Sequence, residues 1–166
     1  GVIPEHIDSL LTKLREAGSI FKINGDKIII SKSYKLLPVN IKTLVYPGFP
    51  TDLQSQFGVV FSIANGKSNI TENIWESRFS YTEELNKMGA DISYNGKIAT
   101  FNGVNSLHGA SVSATDLRAG AALIIAGIVA NGTTEIHNLE HIDRGYEDIE
   151  GKFMALGANL YKTDEE

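Results

Sequence analysis

The sequence contains no cysteine, which excludes disulfide bonds, thiolate metal sites and a cysteine nucleophile from these 166 residues. It also lacks a basic stripe, because acidic and basic residues are interspersed and the formal net charge is -5. Nucleic acid is therefore not an expected partner. The longest apolar run, Ala119 to Ala130, is too short to span a bilayer, so no membrane partner is expected. The absence of cysteine also fits a cytoplasmic protein.

The composition is that of an ordinary globular domain, with 42% hydrophobic and 21% charged residues, and it contains an internal repeat. The string "TDLQSQFGVVFSIANG" from Thr51 resembles "TDLRAGAALIIAGIVANG" from Thr115. After each Ala-Asn-Gly the copies stay in register, since Asn65 and Asn131 are 66 positions apart. A second string, "EELNKMGADI", resembles "EGKFMALGANL" and "SLLTKLREAGSI". Three related units are therefore predicted.

The repeated strings also predict the secondary structure of one unit. Thr-Asp is a helix start signature, and Asn-Gly ends the apolar helix that follows. The alternating strings "KSNITENI" and "TTEIHNL" indicate strands. A second, amphipathic helix ends at Gly18, Gly89 and Gly157, and hairpins are expected over 21–31 and 91–103. The fold class predicted is α/β, in the α+β sense, built from units of helix, strand, helix and two or three further strands.

Domain boundaries follow from the repeat. We expect a partial unit at 1–50 and further units at 51–114 and 115–166, together forming most of one domain. The chain begins with Gly1, in the middle of a unit, which favours a fragment of a longer protein. The alternative is a natural protein whose first unit is degenerate.

Two repeat-equivalent acids, Asp52 and Asp116, open the apolar helices, and the simplest interpretation makes both of them helix caps. That interpretation leaves Arg118 unexplained, because a cation in the first turn of a helix opposes the macrodipole. A local ion pair with Asp116 would reduce this cost only slightly. An unfavourable cation at this position suggests that an anion binds there.

Two further arginines, Arg78 and Arg144, occupy equivalent positions after strands in "WESRF" and "HIDRGY". They form either two surface salt bridges or, because stacked repeats align equivalent loops, one anion site together with Arg118. In the second case Asp52 is a candidate base. His137 and His141 have a metal-like spacing but no third ligand in the sequence, so no metal site is expected there.

Four strings in the same order, "YPGFPTDLQSQF", "TENIWESRF", "ATDLRAGAALIIAG" and "HIDRGYEDIEGKFMALGANL", closely resemble the C-terminal part of the UDP-N-acetylglucosamine enolpyruvyl transferases. The resemblance covers essentially the whole chain. It implies an inside-out barrel in which three pseudo-symmetric units per domain place helices inside and four-stranded sheets outside. It also implies a second domain and a chain start that this sequence lacks.

The resemblance implies a function as well. Members of that family move the enolpyruvyl group of phosphoenolpyruvate to the 3-hydroxyl of UDP-N-acetylglucosamine and release phosphate, in the first committed step of bacterial peptidoglycan synthesis. No cofactor is implied. By residue matching, Asp52 takes the proton of the 3-hydroxyl, and the backbone at Ile74 contacts the sugar nucleotide. Arg78, Arg118 and Arg144 surround phosphoenolpyruvate and its phosphate, with Asp116 beside them.

Two other functions remain open on the sequence: a non-catalytic sugar-nucleotide-binding module of the same fold, and an enolpyruvyl transferase with a different acceptor. In all three cases the missing domain is an expected partner within the same polypeptide, because the resemblance implies a site in a cleft between two domains. We expect the 166 residues alone to be inactive and, with an inner face uncovered, prone to self-association.

Overall fold

The computed structural model describes residues 1–31, 33–76 and 78–163. Six α-helices and eight strands are found in these ranges, together with two short 3-10 turns, Pro4–Ile7 and Thr51–Leu53. None of these helices has the length and apolar character needed to cross a membrane. The helices are α1 Asp8–Glu16, α2 Gln54–Ser62, α3 Tyr81–Lys87, α4 Leu117–Val129, α5 Glu140–Asp143 and α6 Ile149–Ala155; the strands are β1 Ile20–Asn24, β2 Lys27–Ser31, β3 Asn40–Lys42, β4 Lys67–Thr71, β5 Asp91–Asn95, β6 Ile98–Asn102, β7 Ser111–Ser113 and β8 Glu135–His137.

The strands form one four-stranded sheet and two pairs. The sheet has the order β3-β4-β6-β5, with β3 parallel to β4 and the other neighbours antiparallel. The β5–β6 and β1–β2 pairs are the hairpins predicted from the sequence. In each, the turn glycine has a positive φ, +56° at Gly96 and +59° at Gly25, which explains the Asn-Gly sequences there. The β7–β8 pair is parallel, like β3–β4.

All three amphipathic helices end in the same way, as the repeat predicts. Gly18, Gly89 and Gly157 have φ values of +88°, +87° and +93°, a region that glycine enters without steric cost. After each glycine, the next backbone N–H donates to a carbonyl five residues earlier, as from Ser19 to Leu14 at 2.9 Å. This is the Schellman motif, and it returns the chain toward the following strand.

The core lies where α2 packs against α4 on one side and against β4 and β6 on the other. Both helices are buried around most of their circumference, since seven residues of each are buried. Phe61 is 0% exposed and contacts Phe57 and Phe101 edge to face, with ring centroids 5.8 and 5.9 Å apart. The apolar helices therefore lie inside and the sheet outside.

Two strands are shorter than the alternation predicts, and the cause is visible at β4. It ends at Thr71 rather than continuing to Ile74, because the amides of Ile74 and Trp75 donate to the Glu72 side chain instead of to a neighbouring strand. The strand expected over 133–139 is likewise limited to Glu135–His137.

The β1–β2 hairpin differs from β5–β6 in having little packed against it. Ile23, Ile29 and Ile30 are 44%, 58% and 66% exposed, whereas Ala99 and Phe101 on β6 are fully buried beneath α2. The partial first unit has no apolar helix of that kind within the described residues. The self-association and the division into three units stay predictions. The last predicted unit, 115–166, runs past residue 163, where the described part of the chain ends.

Replacing Phe61 with alanine tests the core. The variant loses a fully buried ring at the centre of an aromatic cluster, so the free energy of unfolding should fall by about 3–5 kcal/mol in urea titrations. Tyr34→Ala is the control, since that side chain is 92% exposed and its loss should change stability by less than about 0.5 kcal/mol. Equal effects of the two changes would contradict the proposed core.

Candidate active site

The centre of the site is a buried acid, Glu72, that the motif analysis did not single out. Ser68, Ile70 and Glu72 occupy alternate, inward-facing positions along and just beyond β4, and each is at most 1% exposed. A carboxylate at an inward position of a strand is rare unless it has partners. The period of two in "KSNITENI" was therefore the sequence signal that this glutamate has a specific role.

The carboxylate of Glu72 accepts five hydrogen bonds. One oxygen accepts from Thr43 Oγ1 at 2.7 Å and from the two backbone amides already described. The other accepts from Thr51 Oγ1 at 2.8 Å and from Gln54 Nε2 at 3.1 Å. The end of β3, the turn before α2 and the loop after β4 are thus held together by one side chain.

The ionisation of Glu72 reflects these bonds. Burial raises the pKa of Glu72, but the hydrogen bonds from Thr43, Ile74, Thr51 and Trp75 outweigh burial and leave the pKa below its ordinary value. The glutamate is therefore charged at neutral pH although it is buried.

Thr51 connects this acid to the first predicted arginine. Its hydroxyl donates its proton to Glu72 and accepts from Arg78 Nη1 at 2.9 Å. The Arg78 guanidinium also lies over the Trp75 ring, 4.9 Å from the centroid, which is a cation–π arrangement. The side chain of Arg78 is only 19% exposed, so its orientation is well defined by these contacts.

Asp52, the next residue after Thr51, bridges two arginines. Its carboxylate accepts a hydrogen bond from Arg118 Nε and forms an ion pair with Arg78 Nη1 at 3.4 Å. The hydrogen bond from Arg118, reinforced by the charges of both arginines, holds the pKa of the Asp52 carboxyl below its ordinary value. Asp52 is thus ionised and is 61% exposed at the surface of the cluster.

The two repeat-equivalent acids have different roles, which corrects the interpretation of both as caps. Asp116 is the N-cap of α4, and its Oδ1 accepts from the backbone amides of Arg118 and Ala119 at 2.8 and 3.1 Å. Asp52 caps nothing, because it lies inside the Thr51–Leu53 turn and its carboxylate points to the arginines. The local pair considered for Asp116 and Arg118 is also wrong, since the guanidinium reaches Asp52 instead.

Behind this cluster is a small recess between the first turns of α2 and α4, lined in part by Gln54, Tyr81 and Arg118. Ser55 closes it by donating to the Arg118 carbonyl at 3.0 Å. Among the described residues, Gln54 Oε1 and the Tyr81 hydroxyl are buried with no hydrogen-bond partner. Burial, with the nearby charge of Glu72, raises the pKa of Tyr81 well above its ordinary value, so the hydroxyl remains protonated.

The remaining two predicted residues lie at the margin of the cluster. Ile74 is 40% exposed in the loop after β4, with its amide held by Glu72. Arg144 follows α5, is exposed, and makes no hydrogen bond or ion pair with the other predicted residues in the part of the chain described. Its neighbour Gly145 packs on Leu117, where a Cβ would lie 2.7 Å from that side chain, so the loop carrying Arg144 borders the start of α4.

The described residues include no cluster of three or more histidine or acidic side chains suited to a metal ion. His137 instead shares a hydrogen bond with Ser111 Oγ across the β7–β8 pair, at 2.8 Å. What the site offers chemically is one ionised, exposed carboxylate between two guanidiniums.

The different roles of the repeat-equivalent acids predict different losses of stability. Asp116→Ala removes a helix cap and should lower the free energy of unfolding by about 1 kcal/mol, while Asp116→Asn should restore most of it. Asp52→Ala removes exposed ion pairs and should change stability by less than about 0.5 kcal/mol. Chemical denaturation measures both, and equal losses would contradict the assignment.

The lowered pKa of Glu72 predicts acid sensitivity. Because the folded state holds the carboxyl deprotonated more strongly than the unfolded state does, the stabilisation is full above the ordinary pKa of glutamate and is lost as the pH falls through the folded value. Glu72→Gln should therefore flatten the decline in stability between about pH 7 and about pH 3, measured by denaturation at each pH. The control is Ile70→Val, which perturbs the same strand without removing a charge and should keep the original slope.

Comparison with known proteins places the chain in a family. Residues 1–153 match the family model described as EPSP synthase (3-phosphoshikimate 1-carboxyvinyltransferase). A UDP-N-acetylglucosamine 1-carboxyvinyltransferase of Clostridium botulinum is 50% identical over 161 residues, which are 97% of this chain and 39% of that protein. One of Sulfurovum sp. is 49% identical, over 98% of this chain and 38% of that protein. The chain thus spans about two fifths of the length of these relatives, and the resemblance recognised in the sequence is confirmed.

Solved structures agree. The enolpyruvyl transferase NikO from Streptomyces tendae superposes with a TM-score of 0.84 at 28% identity, over 92% of this chain and 36% of that one. EPSP synthase from Acinetobacter baumannii, at 16% identity and a TM-score of 0.58 over 84% of this chain and 36% of that one, shares the fold. The predicted enolpyruvyl transferase fold is confirmed, and the chain belongs to the EPSP synthase (3-phosphoshikimate 1-carboxyvinyltransferase) family.

Proposed function

We propose that this chain forms one wall of the active site of a bacterial UDP-N-acetylglucosamine 1-carboxyvinyltransferase, a cytoplasmic enzyme of peptidoglycan synthesis. The reaction transfers the enolpyruvyl group of phosphoenolpyruvate to the 3-hydroxyl of UDP-N-acetylglucosamine and releases phosphate. The observation that carries the proposal is the Asp52 carboxylate held between Arg78 and Arg118, in a chain about 50% identical to relatives of that name. The rest of the site belongs to a second domain of the same polypeptide.

The arginines suit the charges of the reaction. Phosphoenolpyruvate carries a carboxylate and a phosphate, and inorganic phosphate leaves, so negative charge is concentrated at every stage. Guanidinium groups bind both kinds of anion through paired N–H donors. Arg78 and Arg118 lie together at the recess, and Arg144, on the loop that borders α4, is assigned to the same substrate.

Asp52 is assigned to the acceptor hydroxyl. As the 3-hydroxyl oxygen bonds to C2 of phosphoenolpyruvate, its proton passes to the Asp52 carboxylate. The C2–C3 double bond opens, and C3 takes a proton from a general acid outside this chain, which completes the tetrahedral ketal. Elimination then removes a proton from C3 and breaks the bond between C2 and the phosphate oxygen. Both steps are proton transfers and carbon–oxygen bond changes, so electrons balance without an oxidant or a reductant.

The ion pairs of Asp52 imply an order to these events. A carboxylate paired with Arg118 is a weaker base than a free one, because the cation stabilises its charged form. A phosphoenolpyruvate anion arriving at the guanidiniums competes with Asp52 for them and thereby raises its basicity. We therefore assign full activation of the base to the complex that holds both substrates.

The acceptor is open to one specific alternative. The name of the matching family, 3-phosphoshikimate 1-carboxyvinyltransferase, contains a different acceptor, so shikimate 3-phosphate is the competing acceptor. The loop with Ile74 and the turn with Asp52 resemble the sugar-nucleotide enzymes, which favours UDP-N-acetylglucosamine. A binding module without catalysis is disfavoured because all five matching charged residues are present, and binding alone does not require both Asp52 and Asp116.

Phosphate release tests the proposal directly. A polypeptide of the relatives' length that contains this chain should release phosphate from phosphoenolpyruvate with UDP-N-acetylglucosamine and not with shikimate 3-phosphate. Arg118→Gln should reduce kcat by about 100-fold or more, the loss typical of one stabilising donor in a charged transition state. Arg15→Gln, at an exposed position of α1, is the matched control and should keep the original rate.

Three outcomes would contradict parts of the proposal. Release with shikimate 3-phosphate alone would change the acceptor, and no release with either acceptor would leave a non-catalytic relative. Turnover by the 166 residues on their own would show that no second domain is needed.

A further inference from the structure

We infer that Glu72 is a positioning residue for the transferase reaction: through Thr51 and the loop at Trp75, it holds Arg78 and Asp52 in the arrangement that receives substrate. The inference rests on the proposed function, since it concerns the geometry of that site. Glu72 itself does not reach the substrate, because it is 1% exposed beneath the cluster.

The first argument is the direction of the Thr51 hydroxyl. A hydroxyl has one proton to donate in a hydrogen bond, and here it donates to the Glu72 carboxylate, which has no proton of its own to donate. The lone pairs of Thr51 Oγ1 are then the groups left to face the Arg78 guanidinium, from which Nη1 donates at 2.9 Å. An uncharged side chain at 72 that offered a donor would reverse this direction, occupy one lone pair of Thr51 Oγ1 and leave the hydroxyl proton without its acceptor beside the cationic guanidinium.

The second argument is that the other support of Arg78 depends on the same acid. The Trp75 ring lies beneath the guanidinium, and the Trp75 amide donates to Glu72 at 3.1 Å. The adjacent Ile74 amide donates to the same oxygen at 2.8 Å. Two independent contacts of Arg78 therefore trace back to one carboxylate, and Asp52 is attached to Thr51 by a single peptide bond.

The third argument is that a structural role alone explains this arrangement poorly. Well-packed apolar residues often replace buried charges without loss of net stability, so stability alone does not require a charge at this position. The same chain has another acid of low exposure, Glu84, which is 8% exposed and accepts from the Ser113 amide and from Lys87. Glu84 joins α3 to β7 and makes no hydrogen bond or ion pair with an arginine among the described residues, so it provides a matched control for an acid-to-amide change.

Glu72→Gln is the central variant, and the site contains a group that allows it to fold. Gln54 Oε1 is buried with no partner among the described residues, so the Gln54 amide can rotate and accept from the new amide at position 72. Thr51→Val removes the relay hydroxyl and Thr51→Ser keeps it, which gives a second pair of variants that leaves the acid in place.

The experiment is a double-mutant cycle on kcat and on KM for phosphoenolpyruvate, in the polypeptide of full length. Glu72→Gln and Thr51→Val should each lower kcat/KM by about 10- to 100-fold. Thr51→Ser, which keeps the hydroxyl, and Glu84→Gln should both retain the wild-type kcat/KM. In an Arg78→Gln background the Glu72→Gln effect should become several-fold smaller, because only the part that acts through Asp52 remains. An undiminished effect in that background, or an unchanged rate in Glu72→Gln alone, would overturn the inference.

A second readout separates this inference from the proposed function. Trp75 is the only tryptophan of the 166 residues, so the difference in emission between the full-length polypeptide and its Trp75→Phe variant reports this loop. Glu72→Gln should change its emission and its quenching by acrylamide, while Glu84→Gln should leave both unchanged. Unchanged fluorescence in Glu72→Gln would overturn the positioning role even in an active enzyme. If the wild-type polypeptide releases no phosphate but Glu72→Gln still changes the Trp75 emission, the proposed function is overturned and the positioning geometry stands.

Discussion

A buried carboxylate has to find all of its hydrogen-bond donors inside the protein, and that requirement organises this molecule around Glu72. Five donors from three separate segments converge on it, two of them backbone amides that would otherwise have continued a strand. Removing any donor would leave part of a buried charge unsatisfied, so the donors are tied to one another through the acid. The end of β3, the turn before α2 and the loop after β4 consequently form one rigid support.

Two copies of the string Thr-Asp-Leu show how the same local sequence acquires two roles. Each copy begins an apolar helix, yet Asp116 caps its own helix whereas Asp52 reaches across to Arg118, which follows the other copy. The difference follows from the turn Thr51–Leu53, which places the carboxylate of Asp52 outside the helix and toward the arginines. Arg118, which the macrodipole disfavours in a first helical turn, is compensated by this second acid.

The cluster therefore balances its charges before any substrate is present. One exposed carboxylate faces two guanidiniums, and beneath them a second, buried carboxylate holds the hydroxyl that supports Arg78. Such preorganisation lets a site meet an anion without rearranging the groups that bind it. The same balance keeps Asp52 ionised, because both arginines lower the pKa of its carboxyl.

Local rules account for what the sequence by itself determined. Gly18, Gly89 and Gly157 end three helices, and Asn-Gly turns close two hairpins, because positive φ angles belong to glycine wherever the rest of the chain lies. The resemblance to the family, and with it the fold, also followed from strings of residues. Only the tertiary structure decided which charges meet: Asp52 and Arg118 are 66 positions apart, and their contact depends on how α2 packs against α4. It also decided the role of Glu72, because whether a buried acid has partners depends on segments that are distant in sequence and that the alternation of one strand does not reveal.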